Sequence, residues 1–202
     1  MKICADKGNV PPISMEKAAK ILSRMKNHVT DYFSITALHY KHAGNEGLRH
    51  FCCLLNAVIS DVNNATLEEL NIALGIILYK GHNKDKSSDR SYRTISTCPF
   101  LAKAVDLYIR DLYSDLWDSE TAETQFQKSG SSHELASLLI TEVVKFSNNV
   151  LDKPVYLLVL DAQSAFDRCL TQLLCCELFN AGVNGDALSL INNRLTNRST
   201  VF

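Results

Sequence analysis

The sequence predicts an α+β fold that is rich in helices and has few strands. Apolar residues recur every three or four positions over several long stretches, as they do on one face of a helix. A brief apolar run at 74–79 precedes a polar stretch, which is typical of a strand that enters a hairpin. A second apolar run, 155–160, is too short for an ordinary helix and predicts a strand buried on both faces. Many helices with few strands between them indicate the α+β class.

The predicted helices share apolar spacing and terminal signals. Ser14 and Ser132 can each cap the helix that follows, while Gly44 and Gly182 can end the helix that precedes them. Leucine-rich stripes at 135–150 and 170–178 are expected to face inward. The predicted helices begin near residues 14, 34, 47, 66, 99, 132, 168 and 186.

Composition limits the classes of function. The chain has 202 residues, 46% of them hydrophobic, and can therefore form a sizeable core. Its net charge of -1 argues against an overall basic coat, but residues 80–93 carry five basic and two acidic side chains. Seven cysteines without a C-x-x-C pair favour reduced thiols in an intracellular protein that is not secreted. No apolar segment reaches the length of a membrane span, so no membrane partner is expected.

The apolar run at 155–160 is followed directly by a segment with two carboxylates, Asp161 and Asp167. This stretch is the main candidate for a catalytic site. One interpretation is purely structural, with Asp161 ending a strand and Asp167 capping the next helix. A P-loop NTPase is disfavoured because the chain has no G-x-x-x-x-G-K-[ST] loop. An aspartyl-phosphate phosphatase would place an aspartate where Gln163 stands. The remaining candidate is a two-metal site for nucleotidyl transfer, in which carboxylates hold two cations.

Residues 157–167 closely resemble the first catalytic motif of reverse transcriptases of non-LTR (LINE-like) retrotransposons, an apolar strand followed by D-x-x-x-A-F-D. Further segments resemble other motifs of that family in the same order. Residues 78–81 and 91–96 are similar to the two sides of its fingers hairpin. The other similar segments are 125–132, 178–185 and 192–202. Together with a helical lead-in, the resemblance spans nearly the whole chain.

The resemblance implies a partial right-hand polymerase fold in three regions. Residues 1–73 would be a helical lead-in, 74–153 a fingers-like region, and 154–202 the start of the palm with the first catalytic motif. The family would use an RNA template, a DNA primer and deoxynucleoside triphosphates as partners.

The resemblance also assigns roles to individual residues. Asp161 would ligate both catalytic Mg²⁺ ions, assisted by the backbone carbonyl of Ala162. Phe166 would crowd the sugar 2′ position, and Asp167 is expected to be a helix cap. The basic residues implied to bind phosphates are Lys80 and Arg93 for the incoming nucleotide, and Lys128 for the template.

Several positions depart from the family pattern. Thr94 replaces a proline or glycine, Ser164 replaces a lysine, and a loop with proline and glycine has become residues 26–31. The sequence also contains no aromatic-x-Asp-Asp box, which supplies the other metal-binding carboxylates. These features predict a fragment or degenerate copy that does not polymerise, with an apolar strand edge that favours aggregation. One alternative is a non-catalytic remnant that binds nucleic acid or protein. Another is a helical scaffold with no ligand, in which Lys80, Arg93 and Asp161 would lie far apart.

A zinc site at His39, His42, His50 and Cys52 is disfavoured. These residues match neither the H-E-x-x-H pattern nor a paired C-x-x-C spacing. We expect ordinary histidines on a helix surface.

Overall fold

The computed structural model describes residues 8–61, 66–81, 83–116, 132–161, 165 and 168–202. Contacts group the chain into two compact units, the first comprising the residues up to Leu112 together with Thr171–Phe202, and the second Tyr113–Leu170. The sequence-based division into regions 1–73, 74–153 and 154–202 describes parts of a polymerase. These two units do not test it, so it stays a prediction.

The described elements confirm a helix-rich α+β fold with a small sheet. The helices are α1 (Met15–Arg24), α2 (Ala37–His42), α3 (Gly44–Ser60), α4 (Thr66–Leu70), α5 (Phe100–Leu112), α6 (His133–Asn149), α7 (Thr171–Asn180) and α8 (Gly185–Thr196). The strands are β1 (Ile72–Tyr79), β2 (Tyr92–Thr97) and β3 (Ser199–Val201). None of the described helices combines the length and the apolar content needed to cross a lipid bilayer.

Local signals set several helix ends as predicted. The Ser14 hydroxyl accepts a hydrogen bond from the Lys17 N–H (3.3 Å) at the start of α1. Ser132 does the same for the Leu135 N–H (3.2 Å) at the start of α6. After α7, Gly182 adopts a φ of 107°, a left-handed conformation that a side chain would disfavour.

The core of the first unit forms where α1, α3 and α5 pack together. Ile21, Leu55 and Val105, one from each helix, are fully buried. An aromatic cluster extends this core, because the rings of Tyr40, Phe51 and Phe100 lie with centroids 5.2 to 5.4 Å apart. Apolar burial of this extent is the main favourable term in the stability of the unit.

One buried carboxylate ties the loop before α2 to the start of α5. Asp31 is only 4% exposed. Its Oδ1 accepts the N–H groups of Phe33 (3.0 Å) and Ile35 (2.9 Å), and its Oδ2 accepts that of Phe100 (2.7 Å). The carboxylate therefore satisfies backbone donors of two segments that are distant in sequence.

The sheet has the strand order β2-β1-β3. β1 and β2 pair antiparallel, from Leu74 opposite Thr97 to Tyr79 opposite Tyr92, whereas β3 runs parallel to β1. A β-carbon added at Gly75 would lie 2.6 Å from the ring of Phe202, so glycine allows the C-terminal aromatic to pack on the sheet.

The C-terminal helices join the same unit through polar contacts. Arg194 forms a bidentate pair with Asp106 on α5 (2.7 and 3.1 Å) and also donates to the Leu70 carbonyl (3.2 Å). Gly185 has a φ of 56°, and a β-carbon there would lie 2.1 Å from the Gly8 carbonyl oxygen. Arg194 thereby connects α8 to α4 and α5, and Gly185 allows the start of α8 to lie against Gly8.

The second unit corrects two predictions. Residues 155–160 form no strand and are exposed, with Leu158 at 80% and Leu160 at 83% exposure. The apolar stripe of α6 is also exposed, and α6 has no buried residue. The physical reason is shared: a strand needs partner strands and an apolar stripe needs a covering layer, and the described part of this unit supplies neither.

Helix α7 departs from its predicted stripe as well. Leu170, just before it, is 69% exposed and Leu173 is 57% exposed, and no residue of α7 is buried. Because α7 packs mainly against α8, only one side of it is covered.

Candidate nucleic-acid interface

The β1–β2 hairpin is the best-defined part of the predicted site. Apolar and β-branched residues form β1, which favours an extended chain, and the polar residues that follow form the connecting loop. Leu78 pairs with Arg93, and the Lys80 N–H donates to the Ser91 carbonyl (2.8 Å). Side chains alternate along paired strands, so Lys80 and Arg93 are diagonal neighbours on one face, with roughly 7–8 Å between their backbones.

Two tyrosines hold the loop at the tip of the hairpin. The Tyr79 hydroxyl donates to the Lys84 carbonyl (2.5 Å), and the Tyr92 hydroxyl donates to the Lys86 carbonyl (2.9 Å). Their rings lie 5.5 Å apart, and the Lys86 ammonium lies 5.7 Å from the Tyr79 ring centroid. These contacts support the described part of the loop, and a loop held in its binding conformation loses less entropy when a ligand binds.

Lys80 is also positioned by the loop. Its Nζ donates to the Arg90 carbonyl at 2.6 Å. An ammonium has three N–H donors, so two remain for a ligand. The side chain is half-buried, while Arg93 is exposed.

The carboxylates of the loop do not neutralise its cations. Asp85 accepts hydrogen bonds from the Ser87 N–H (2.9 Å) and hydroxyl (2.7 Å), which lower the pKa of Asp85. Asp89 accepts from the Arg90 N–H at 2.7 Å. Among the described residues, no ion pair involves any cation of the hairpin. The excess positive charge of the loop is therefore available to an anion.

Of the other predicted site residues, the structure describes only Asp161. Asp161 lies in the second unit, where it is exposed. Ala162, Phe166, Asp167 and Lys128 lie outside the described residues. The roles that the resemblance gives them stay predictions.

A Mg²⁺ site is not formed by the described residues alone. They contain no group of three or more His, Cys, Asp or Glu side chains that could hold a metal ion. Within the described residues, Asp161 is therefore not part of a ligand group of that size, and a pair of divalent cations needs several carboxylates.

The residues considered for zinc have other contacts. The Nδ1 atom of His39 accepts from the Thr36 N–H (3.1 Å) at the start of α2. The Cys52 thiol donates to the Ile13 carbonyl (3.3 Å), and the ring of His50 stacks on Tyr40 at 6.2 Å. These contacts serve helix capping and packing.

The roles of Tyr79, Tyr92 and Asp31 were not predicted from the sequence. A signal existed for the tyrosines, because each directly flanks the polar loop at the end of a strand. The contact of Asp31 with Phe100 had no such signal, since Phe100 is 69 residues away.

Searches against protein-family models and against curated proteins found no match for this chain. The interpretation of its function therefore depends on the order of its motifs and on the geometry of the hairpin.

Proposed function

We propose that this chain comprises the fingers and the start of the palm of a reverse transcriptase of the non-LTR retrotransposon type. In this proposal the β1–β2 hairpin binds the phosphates of nucleic acid or of a nucleotide. The observation that carries it is the hairpin register, which places Lys80 and Arg93 on one face beside a fixed basic loop. The motif resemblance had assigned these two residues to phosphate binding.

The charge of the hairpin supports this function. Lysine and arginine bind phosphate oxygens through charge-assisted hydrogen bonds, and the hairpin cations form no ion pair within the described residues that a phosphate would have to displace. Neutralising phosphates also releases counterions, which makes the affinity strongly dependent on salt. A protein with almost no net charge can therefore still bind nucleic acid through a local basic hairpin.

Catalysis is a separate part of the proposal. In the complete family, Mg²⁺ supplies charge neutralisation for nucleotidyl transfer, and Asp161 is the residue here that would ligate it. The sequence contains no aromatic-x-Asp-Asp box, so these 202 residues lack the further carboxylates of that site. We expect them to bind nucleic acid without extending a primer. Extension with Mg²⁺ that is lost on Asp161→Asn would contradict this expectation.

RNA binding would be compared between two double variants, each of which removes two positive charges. Lys80→Ala with Arg93→Ala removes the paired cations of the hairpin. Lys20→Ala with Arg110→Ala removes one lysine and one arginine from exposed helix positions in the same unit. Fluorescence anisotropy with a labelled single-stranded RNA would measure the Kd of each. We expect the hairpin variant to weaken binding about tenfold, since each lost phosphate contact removes part of the electrostatic affinity.

Equal losses in the two variants would show that only net charge matters and would contradict the hairpin assignment. RNA binding by the wild type without primer extension would also be expected of a non-catalytic remnant. A primer-extension assay on the same material separates that alternative from an active polymerase.

A further inference from the structure

A groove in the first unit lies between the end of α1, the end of β2 and the beginning of α5. Its volume is about 410 Å³, and its lining includes Lys26, Val29, Ser96, Thr97, Lys103 and Leu107. Cavities of roughly 300–1,000 Å³ are the usual size for small-molecule sites. We call this feature the α1–α5 groove.

The α1–α5 groove has an excess of positive charge. Lys26 and Lys103 are both exposed, and neither forms an ion pair with any residue that the structure describes. Arg24 also lines the groove but is paired with Asp111. The carboxylate of the groove, Asp31, is buried and bonded to backbone N–H groups. Two ammonium groups are therefore free to bind an anion such as phosphate.

The remaining lining has a different chemistry. Ser96 and Thr97 are half-buried neighbours on β2, and because side chains alternate along a strand, only one of their hydroxyls faces the groove. Within the described part of the chain, neither hydroxyl forms a side-chain hydrogen bond. Val29 is 47% exposed and Leu107 is half-buried, so both offer apolar surface. Two cations, a hydroxyl and an apolar wall in one groove suit a ligand that has a phosphate, a polar sugar and a flat ring.

We propose that the α1–α5 groove binds a nucleotide, either free or at the phosphorylated end of a strand. Lys26 and Lys103 bind the phosphate, and Val29 and Leu107 contact the base. The groove is distinct from the hairpin tip, because Thr97 is four residues along β2 from Arg93, roughly 13 Å at the rise of a strand. This inference therefore goes beyond the proposed function of the hairpin.

Cys98 provides a direct readout, because it lines the groove and is a half-exposed free thiol. Cys53 is an exposed free thiol on α3 outside the groove lining and serves as an internal control. The rate at which iodoacetamide alkylates each thiol would be measured by mass spectrometry with and without adenosine 5′-monophosphate. At ten times its Kd, the nucleotide should slow the alkylation of Cys98 about tenfold and leave Cys53 unchanged.

Variants and ligand fragments make the test specific. Lys26→Ala with Lys103→Ala should abolish the protection of Cys98, whereas Lys17→Ala with Lys20→Ala should retain it. Adenosine alone and inorganic phosphate alone should protect less than the nucleotide. Protection by a 5′-phosphorylated oligonucleotide but not by the mononucleotide would identify a strand end as the ligand.

The proposal is overturned if neither the mononucleotide nor the oligonucleotide protects Cys98. It is also overturned if protection persists in the Lys26 and Lys103 double variant, or if either ligand fragment protects as well as the nucleotide. The hairpin variant Lys80→Ala with Arg93→Ala should not alter this protection, so the two proposals can fail separately.

Discussion

At the scale of single residues, Asp31 has the clearest structural role in the described chain. It is a buried carboxylate whose oxygens accept backbone N–H groups from its own loop and from Phe100 at the start of α5. Buried donors that lose their acceptor retain a desolvation penalty, because water cannot replace the bond. The position of α5, and hence the wall of the α1–α5 groove, depends on this side chain.

Replacing Asp31 should therefore destabilise the protein. We expect Asp31→Ala to lower the free energy of unfolding by about 2–3 kcal/mol, since several buried N–H groups lose their acceptor. Urea unfolding followed by circular dichroism would measure the change. Asp85→Ala is the control, because Asp85 is exposed in the hairpin loop. A change below about 0.5 kcal/mol in Asp31→Ala would show that the carboxylate does not hold α5.

At the scale of elements, α5 also holds the lead-in of the chain. Tyr108, only 2% exposed, donates its hydroxyl hydrogen bond to the Pro11 carbonyl at 2.8 Å. Burial raises the pKa of Tyr108 above the ordinary value of 10.0. Burial, and then the charge of Asp31, raises the pKa of Tyr40 in the same direction. Both tyrosines are therefore more stable as neutral groups in the folded state.

These shifts predict a loss of stability at alkaline pH. A raised folded-state pKa contributes stability below the unfolded value of 10.0, and that contribution is lost as pH rises through the folded-state value. Tyr108→Phe should be less stable at pH 7 by about 1 kcal/mol, because it lacks the hydrogen bond to Pro11. It should also lose stability less steeply above pH 10 than the wild type.

Urea unfolding midpoints at several pH values would test this, with the exposed Tyr32→Phe as control. An alkaline slope in Tyr108→Phe equal to that of the wild type would contradict the assigned role of burial.

The elements that were predicted correctly from the sequence are those that depend on local signals. The caps Ser14 and Ser132, the turn at Gly182 and the hairpin around residues 80–91 depend on neighbours within a few positions. Contacts between distant segments could not be predicted. The apolar run at 155–160 indicated a buried strand, but burial requires a partner layer that composition does not specify.

The candidate site shows the same limit. The proximity of Lys80 and Arg93 depends on a local motif and on the register of the hairpin that it forms. It could therefore be predicted from the sequence. The α1–α5 groove combines Lys26 with Lys103, which lie 77 positions apart in the numbering, and only the fold reveals it.

At the scale of the whole molecule, the second unit exposes much apolar surface. Tyr156, Leu158 and Val159 are 90%, 80% and 77% exposed. Large exposed apolar surface favours association. Aggregation stays a prediction, and it now depends on the exposure of this segment because residues 155–160 do not form the expected strand.

A single charge should separate aggregation from folding. Leu158→Lys should change the free energy of unfolding by less than about 0.5 kcal/mol, because the side chain already contacts water. It should also raise the concentration at which light scattering detects aggregates. Leu55→Lys, at a fully buried position, is the contrasting control and should unfold the first unit. A large loss of stability in Leu158→Lys would show that this segment is buried after all.

The central claim is that the β1–β2 hairpin binds phosphates through Lys80 and Arg93. The salt dependence of RNA binding tests it most directly, because each phosphate contact to a single strand contributes about 0.7 to the slope of log K against log salt. Lys80→Ala with Arg93→Ala should lower the slope by about 1.4, whereas Lys20→Ala with Arg110→Ala should leave it unchanged. An unchanged slope in the hairpin variant would contradict the account.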